Sequence, residues 1–396
     1  MLNLDTRSDA FLTDPWPVLK KFRQEAPICW SESEKLFNVF RHEDIAKLFL
    51  DQRFTVEYPW RTTTHLFGKT LLDMEGEEQQ RLKKIIASSV LTGINVRNFS
   101  EKFVEPTVIK LIDDVVYEPS FDFMAEIASR VPTLATCQFL GIPLDQEKWL
   151  FEKMMVLMNH LGEIEINFEA VGDVHKEVDE WLTNILVNKF EQKQEDLGYM
   201  QMFDCVRDES METIKLVYWT FLAGGIETSM CLLGNAFVIL SNHQEWFKRL
   251  AEDSSMARLI LNEALRLEPV QGNTVRFATQ DLDLNGISIK KNQCVRLLLT
   301  SASRDESVFQ EPDVFNPERS TRKRDLTFAI GTHACMGRNF TLTNSEIVLR
   351  TFWKKIQGVR DIDKIDTVIR GSLFRKPDSV WVNSKINTVK DCCLQA

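Results

Sequence analysis

Little in this chain marks a boundary. Its 396 residues include only 12 prolines and 16 glycines, and these never gather into a Pro/Gly/Ser linker. No low-complexity block or internal repeat interrupts it. One α-rich unit over residues 1–396 is therefore expected, although length by itself leaves room for two or three domains. CxxC pairs are missing too. Cys29, Cys137, Cys205, Cys231, Cys294 and Cys335 stand singly, and Cys392-Cys393 fall in what reads as a frayed tail. That excludes zinc-ribbon and disulfide frameworks and suits a reducing cytosol. Positive charge is in deficit: 48 Lys and Arg against 58 Asp and Glu give a net charge of −10. Nucleic acid is thereby argued against as a general partner, while a local basic patch stays open. The first residues, Met1-Leu-Asn-Leu-Asp-Thr-Arg, have no basic stretch followed by an apolar one. The longest apolar run, about Leu216 to Ile226, is too short to cross a bilayer and stops at Glu227. A cytoplasmic location without a membrane anchor is expected.

What is present is a chain that is 44% hydrophobic, enough to bury a large core. Asp14-Pro15-Trp16-Pro17 opens a helix running through Phe22 and Glu25. Leu36 to Phe40 alternates like a strand, Glu43 to Leu50 reads as helix, and Thr55 to Lys69 has too little periodicity for either. From Arg81 to about Asp253 the pattern is almost all helical. Leu282 and Leu284, then Ile287 and Ile289, alternate around Asn285-Gly286, the strongest short hairpin signal. Cys294 to Leu299 reads as one more strand. The expected class is mainly α with small β-sheets (α+β). Its β-rich parts lie at roughly 30–60 and 270–300 plus a C-terminal hairpin, and its helical parts at roughly 80–265 and 336–356.

Two stretches carry chemistry. The first is Phe328-Ala-Ile-Gly331-Thr-His333-Ala-Cys335-Met-Gly337-Arg338, followed by an amphipathic run from Asn339 to Trp353. Cys335 then stands at a helix N-terminus, where free N–H groups and the dipole favour a thiolate. Such a sulfur can be a metal ligand or a nucleophile, and a plain buried cysteine is the bland alternative. The second stretch is Leu216 to Leu240, apolar nearly all round and so expected to be central and buried. Gly224 and Gly225 sit in its middle, where glycine costs about 1 kcal/mol against alanine. Thr220, Gly224 and Thr228 fall four apart on one small, partly polar face that could take a flat partner. A hydroxyl at Thr228 can bond back to a carbonyl and bend the helix. Plain helix packing is the competing account.

Both stretches resemble the cytochrome P-450 family. The first matches its haem loop, Phe-Gly-x-Gly-x-His-x-Cys-x-Gly, at Phe328, Gly331, His333, Cys335 and Gly337, and departs from it at Ala329. Gly224-Gly225-Ile226-Glu227-Thr228 is similar to its oxygen-activating helix. The resemblance implies the family's fold, with haem b between a long central helix and the cysteine loop and its helix. Cys335 is then the axial iron ligand. Thr228 with Glu227 would help deliver protons to the oxygen being activated. His333, Arg276 and Arg81 would bind the haem propionates, with Gln79 as a further donor. Glu263, Arg266 and Arg319 would form a structural network, since a Glu-x-x-Arg pair faces itself on a helix. By family position, the substrate pocket draws on residues 56–67 and 155–174 and on Thr220, Ala223, Gly224, Val270, Gln271, Gly272, Leu373 and Phe374. A small, mostly apolar organic molecule suits that set.

The implied activity is that of a haem-thiolate monooxygenase in secondary metabolism, acting as a monomer. Hydroxylation, epoxidation, desaturation or oxidative coupling are all open to it. Its electrons would come from NAD(P)H through a ferredoxin or flavodoxin-type donor and its reductase, because the chain has no length left for a reductase of its own. Lys83, Lys84 and Arg338 on the cysteine side would steer an acidic donor. A peroxide-driven peroxygenase and a haem-based gas sensor are the rival readings. A cysteine hydrolase is more remote, because no base is placed by motif. His42, His65, His160, His175 and His243 have no motif around them and are expected to be packing or surface residues.

Overall fold

The alternating segments pair across the length of the chain. In the computed structural model, which describes residues 4–58, 61–162, 168–191, 200–320, 325–356, 362 and 364–383, they form one five-stranded sheet. Its members are Ile28–Ser31 (β1), Leu36–Val39 (β2), Phe54–Thr55 (β3), Asn273–Ala278 (β5) and Cys294–Leu298 (β8), in the order β1-β2-β8-β5-β3. β8 lies parallel to β2 and antiparallel to β5. A strand buried between two neighbours reads as a continuous apolar run, as Val295 to Leu298 does apart from Arg296. Arg296 is satisfied by Glu34 and Asn38. The expected hairpin is present as Leu282–Leu284 (β6) and Ile287–Ile289 (β7), with Asn285 and Gly286 at φ +53° and +84°. Both residues are left-handed, as this turn type requires.

Ser120–Asp122 (β4) pairs with Trp381–Asn383 (β9), and this interrupts a region that reads as all helix. A three-residue strand has too few positions to show a period, and its partner lies some 260 residues away. Thr62–Phe67 is a short helix rather than the expected loop. The expected C-terminal hairpin is reduced to an antiparallel bridge between Arg370 and Lys376 and another between Gln271 and Phe374. Cys392 and Cys393 lie outside the described residues.

Helices supply the main core. The segment expected to be one central helix is two, Met211–Gly225 and Glu227–Ser241, with Ile226 between them at φ −85°, ψ −72°. Ser210 caps the first by accepting from the Thr213 N–H at 3.1 Å. At the break, the Thr228 hydroxyl donates to Gly224 O at 2.6 Å, the back-bond that bends helices. Residues 211–241 are apolar enough to span a membrane, but most of this stretch is buried within the protein. It is a core helix. The Arg338–Ile356 helix packs against Glu105–Val115 and Met256–Leu267.

Among the described residues, two buried charge networks tie the Met256–Leu267 helix and the residue after it to distant parts of the chain. Arg266 donates to Glu263 at 2.8 and 3.0 Å and to Pro312 O and Ser303 O, while Arg319 donates to Glu263 at 3.1 Å. This is the expected Glu263–Arg266–Arg319 set. The second carries no signal in the local sequence. Glu268 accepts from Arg304 and Arg375, each at 3.1 Å, and Arg304 lies over the Trp16 ring at 3.4 Å.

Candidate active site

The cysteine loop folds back on itself: the Cys335 N–H donates to Phe328 O at 2.9 Å and the Ala329 N–H to Leu326 O at 2.8 Å. Ala329 takes φ +52° and Gly331 φ +79°. A Cβ at Gly331 would stand 3.2 Å from Phe49 O, so both its backbone angle and its neighbours call for glycine. The turn delivers the Cys335 sulfur to the start of the Arg338–Ile356 helix. It faces a cavity of about 330 Å³, onto which its side chain opens. Burial pushes the free thiol up, against the pull of the Gly337 and Arg338 N–H groups and the charges of Lys83 and Arg338.

The cavity joins most of the residues singled out from the sequence. Phe328, His333, Cys335 and Gly337 line it from the loop, and Thr220, Ala223, Gly224 and Thr228 from the broken helix. Val270, Gln271, Arg276, Leu373 and Phe374 close it from the strands and the C-terminal turn. A Cβ on Gly224 would meet nothing within 4 Å; the space over it is open. Phe67, Leu71, Phe139, Phe221, Leu299 and Phe340 make the walls apolar. From residues 155–174, Met158 and Leu161 reach the lining.

Several residues are placed differently from the expectation. Arg81 does not reach the cavity. It is 43% exposed and held by Glu78 and Glu209 at 2.8 and 2.6 Å. An exposed carboxylate, Glu78, and a half-buried one, Glu209, satisfy it where it stands. The cation from its helix that reaches the lining is Lys83, whose Nζ donates to Thr332 O at 2.5 Å and Ala334 O at 3.1 Å. Lys83 therefore clamps the cysteine loop instead of standing free in a solvated patch, and burial lowers its pKa. Gln79, one turn earlier, is buried beneath the same loop and donates to Thr332 O at 3.4 Å. Gly272 lies outside the lining: its N–H donates to Leu373 O, and a Cβ there would fall 2.2 Å from Ser372 O. Gly331 also stands outside it, behind the loop. The Thr220 hydroxyl is committed to the Leu71 N–H and Leu216 O, so it offers the cavity little polarity. Glu227 is not in the lining either. It is 3% exposed and bonded to Lys376.

One end of the cavity collects positive charge. Arg276 is buried, and its guanidinium donates to the neighbouring Val275 O and lies over Phe49. Burial and the charge of Arg61 push its pKa down to about 10. Arg61, unremarked in the sequence, lines the same end on a salt bridge to Asp73 at 2.8 Å. His333 Nε2 is buried without a hydrogen-bond partner, 3.7 Å from Glu75 Oε1. Arg276 makes no salt bridge among the described residues, and with the orphaned His333 nitrogen beside it this end of the cavity can hold an anion. With a cysteine sulfur at the other side and apolar walls between, the residues fit haem with its two carboxylates.

Comparison with known proteins agrees with this geometry. The Cytochrome P450 family profile matches residues 13–377. The biotin biosynthesis cytochrome P450 of Bacillus subtilis is 24% identical over 90% of this chain and 93% of its own length. The epothilone C/D epoxidase of Sorangium cellulosum is 25% identical over 88% of each. Among solved structures, epothilone D-bound cytochrome P450epoK superposes with a TM-score of 0.87 at 24% identity, covering 97% of this chain and all of that one. P450BioI, solved with an acyl carrier protein bearing hexadec-9Z-enoic acid, gives 0.85 at 21% identity, over 95% and 100%. A cysteine turned into an apolar cavity with arginines at one end, on this fold and with this profile, defines the class: the chain belongs to the cytochrome P450 family of haem-iron monooxygenases.

Proposed function

We propose that this P450 takes electrons from a separate redox protein and uses O2 to oxidise a small, mostly apolar organic molecule of secondary metabolism. The observation that carries this reading is the cavity itself, with the Cys335 sulfur on one wall and the Thr228 hydroxyl on another. Cys335 would hold the iron, with His333, Arg276 and Arg61 on the propionates. Haem, when bound, supplies the redox-active iron at which O2 is reduced. The chain's own residues do the rest. The Gly337 and Arg338 N–H groups support negative charge on the sulfur, and Lys83 and Gln79 fix the loop that carries it. Because the Thr228 hydroxyl proton is spent on Gly224 O, its lone pairs can accept from an ordered water and hold it in the cavity, where that water can donate the proton. Glu227 supplies the acid. The phenylalanine and leucine walls exclude bulk water and select an apolar substrate. Gln271 is a polar contact at the strand end. On the cysteine side Lys84 and Arg338 are exposed and would steer an acidic ferredoxin or flavodoxin-type donor, itself reduced from NAD(P)H.

The test uses a compound found by its shift of the iron spin state. With NADPH, a plant ferredoxin and its reductase, turnover under 18O2 should place one labelled atom in a hydroxylated or epoxidised product. Label arriving from water, or peroxide alone supporting turnover as fast as the donor system, would contradict the reading.

A further inference from the structure

Leu373 and Phe374 line the cavity from the C-terminal turn, and the residue after them, Arg375, is fully buried behind that wall. Its guanidinium donates from Nε to Glu268 Oε2 at 3.1 Å and from Nη1 to Leu12 O and Gly371 O at 3.1 and 2.8 Å. Nη2 donates to Ile369 O at 3.0 Å. The backbone of Arg375 is fixed as well: its N–H donates to Val270 O at 3.0 Å and its carbonyl accepts from Asn235 Nδ2 at 2.9 Å. One arginine therefore ties the turn to its own start, to the N-terminal segment, to the lining residue Val270 and to the second half of the central helix. Two glycines let the turn come so close. Gly371 takes φ +126°, and a Cβ on it would fall 2.0 Å from Phe374 O; the Gly272 N–H meets Leu373 O at 2.7 Å. A turn built on such residues is free to wander unless something anchors it. Glu268 supplies the counter-charge, buried and shared with Arg304, two residues before Val270. A buried ion pair adds little stability over an apolar pair of the same size, because both charges lose their water. The position it fixes is the more telling feature.

We propose that Arg375, held by Glu268, is a positioning residue for substrate selection: it sets how far Leu373 and Phe374 reach into the cavity, and so which apolar shapes fit there. This rests on the reading of the cavity as the haem and substrate site. Neither Arg375 nor Glu268 lines the cavity; both act through the turn. Three of the four bonds from the guanidinium end on backbone carbonyls of Leu12, Gly371 and Ile369. A lysine in its place keeps a charge for Glu268 but lacks the planar fork that spans those carbonyls. Arg375→Lys therefore loosens the turn without leaving the Glu268 carboxylate uncompensated.

The experiment needs neither substrate nor electrons. Its probes are imidazole and 4-phenylimidazole, which reach haem iron through the same kind of nitrogen; only the second carries an aryl group into the space beyond. Dissociation constants are read from the shift of the Soret band of the haem-loaded protein. In Arg375→Lys the constant for 4-phenylimidazole should rise roughly tenfold, the scale of one ill-fitting apolar group, while that for imidazole stays unchanged. Phe374→Ala should also weaken 4-phenylimidazole, and combining it with Arg375→Lys should add little, as it must if the arginine acts through that ring. Should the lysine variant load poorly with haem, Arg375→Met, of similar length, gives the same comparison. Equal changes for the two ligands, or none for either, would make Arg375 purely structural and sink the proposal. So would additive effects of Phe374→Ala and Arg375→Lys, or a Phe374→Ala protein that binds 4-phenylimidazole as before. If imidazole fails to shift the Soret band of the unaltered protein, it is the reading of the cavity as the haem site that fails, and the proposal goes with it.

Discussion

Ala329 holds a left-handed backbone at φ +52° inside the cysteine loop, where an alanine is strained by roughly 1–2 kcal/mol relative to the right-handed region. It is also the one position at which the loop departs from the family's glycine. The residue is kept in place by its own N–H bond to Leu326 O and by the closure of Cys335 onto Phe328 O. Ala329→Gly should therefore raise stability by about 1 kcal/mol, part of the relieved strain being lost to the greater freedom of glycine when unfolded. The thermal midpoint of the haem-loaded protein measures it; an unchanged or lowered midpoint would show that the loop carries no strain there. The motif disclosed this substitution, and only the backbone angle shows that it costs anything.

At the scale of the element, the Gly76–Ser89 helix explains how one site residue was misplaced. Gln79 and Lys83 are four apart and share a face; that face lies under the cysteine loop, so both donate to Thr332 O. Arg81 is two residues from each and points elsewhere, to Glu78 and Glu209. The helical period favours Lys83 over Arg81 once Gln79 is taken to face the loop, whereas residue type alone favours the arginine. Lys83→Met should speed haem loss to an apomyoglobin acceptor by roughly tenfold, the worth of charged hydrogen bonds to the loop, and Arg81→Ala should leave it unchanged. Equal loss from both variants would mean that the helix face has been read wrongly. The broken central helix is the opposite case. Thr228 and the paired glycines announce a bend, and the break falls at Ile226, between them.

Across the whole molecule, what was legible followed from local signals. The hairpin turn, the amphipathic Arg338–Ile356 helix, the Glu263–Arg266 pair and the lining residues of the loop rest on spacings of a few residues, and Arg319 joins that pair through the family resemblance. What was illegible depends on distant partners. β4 finds β9 only in the folded chain. Arg375, among the largest fully buried side chains, has no sequence neighbour that marks it, because Glu268, Arg304 and Trp16 come from three other segments. Arg61 enters the lining by the same kind of long-range closure. All these parts converge on a single sulfur, and the account stands or falls with it. The most direct measurement is the carbon monoxide difference spectrum of the reduced, haem-loaded protein, alone and as Cys335→Ser. The red-shifted thiolate band should be present in the first and absent in the second; an undiminished thiolate band in Cys335→Ser would contradict the assignment of Cys335 as the ligand.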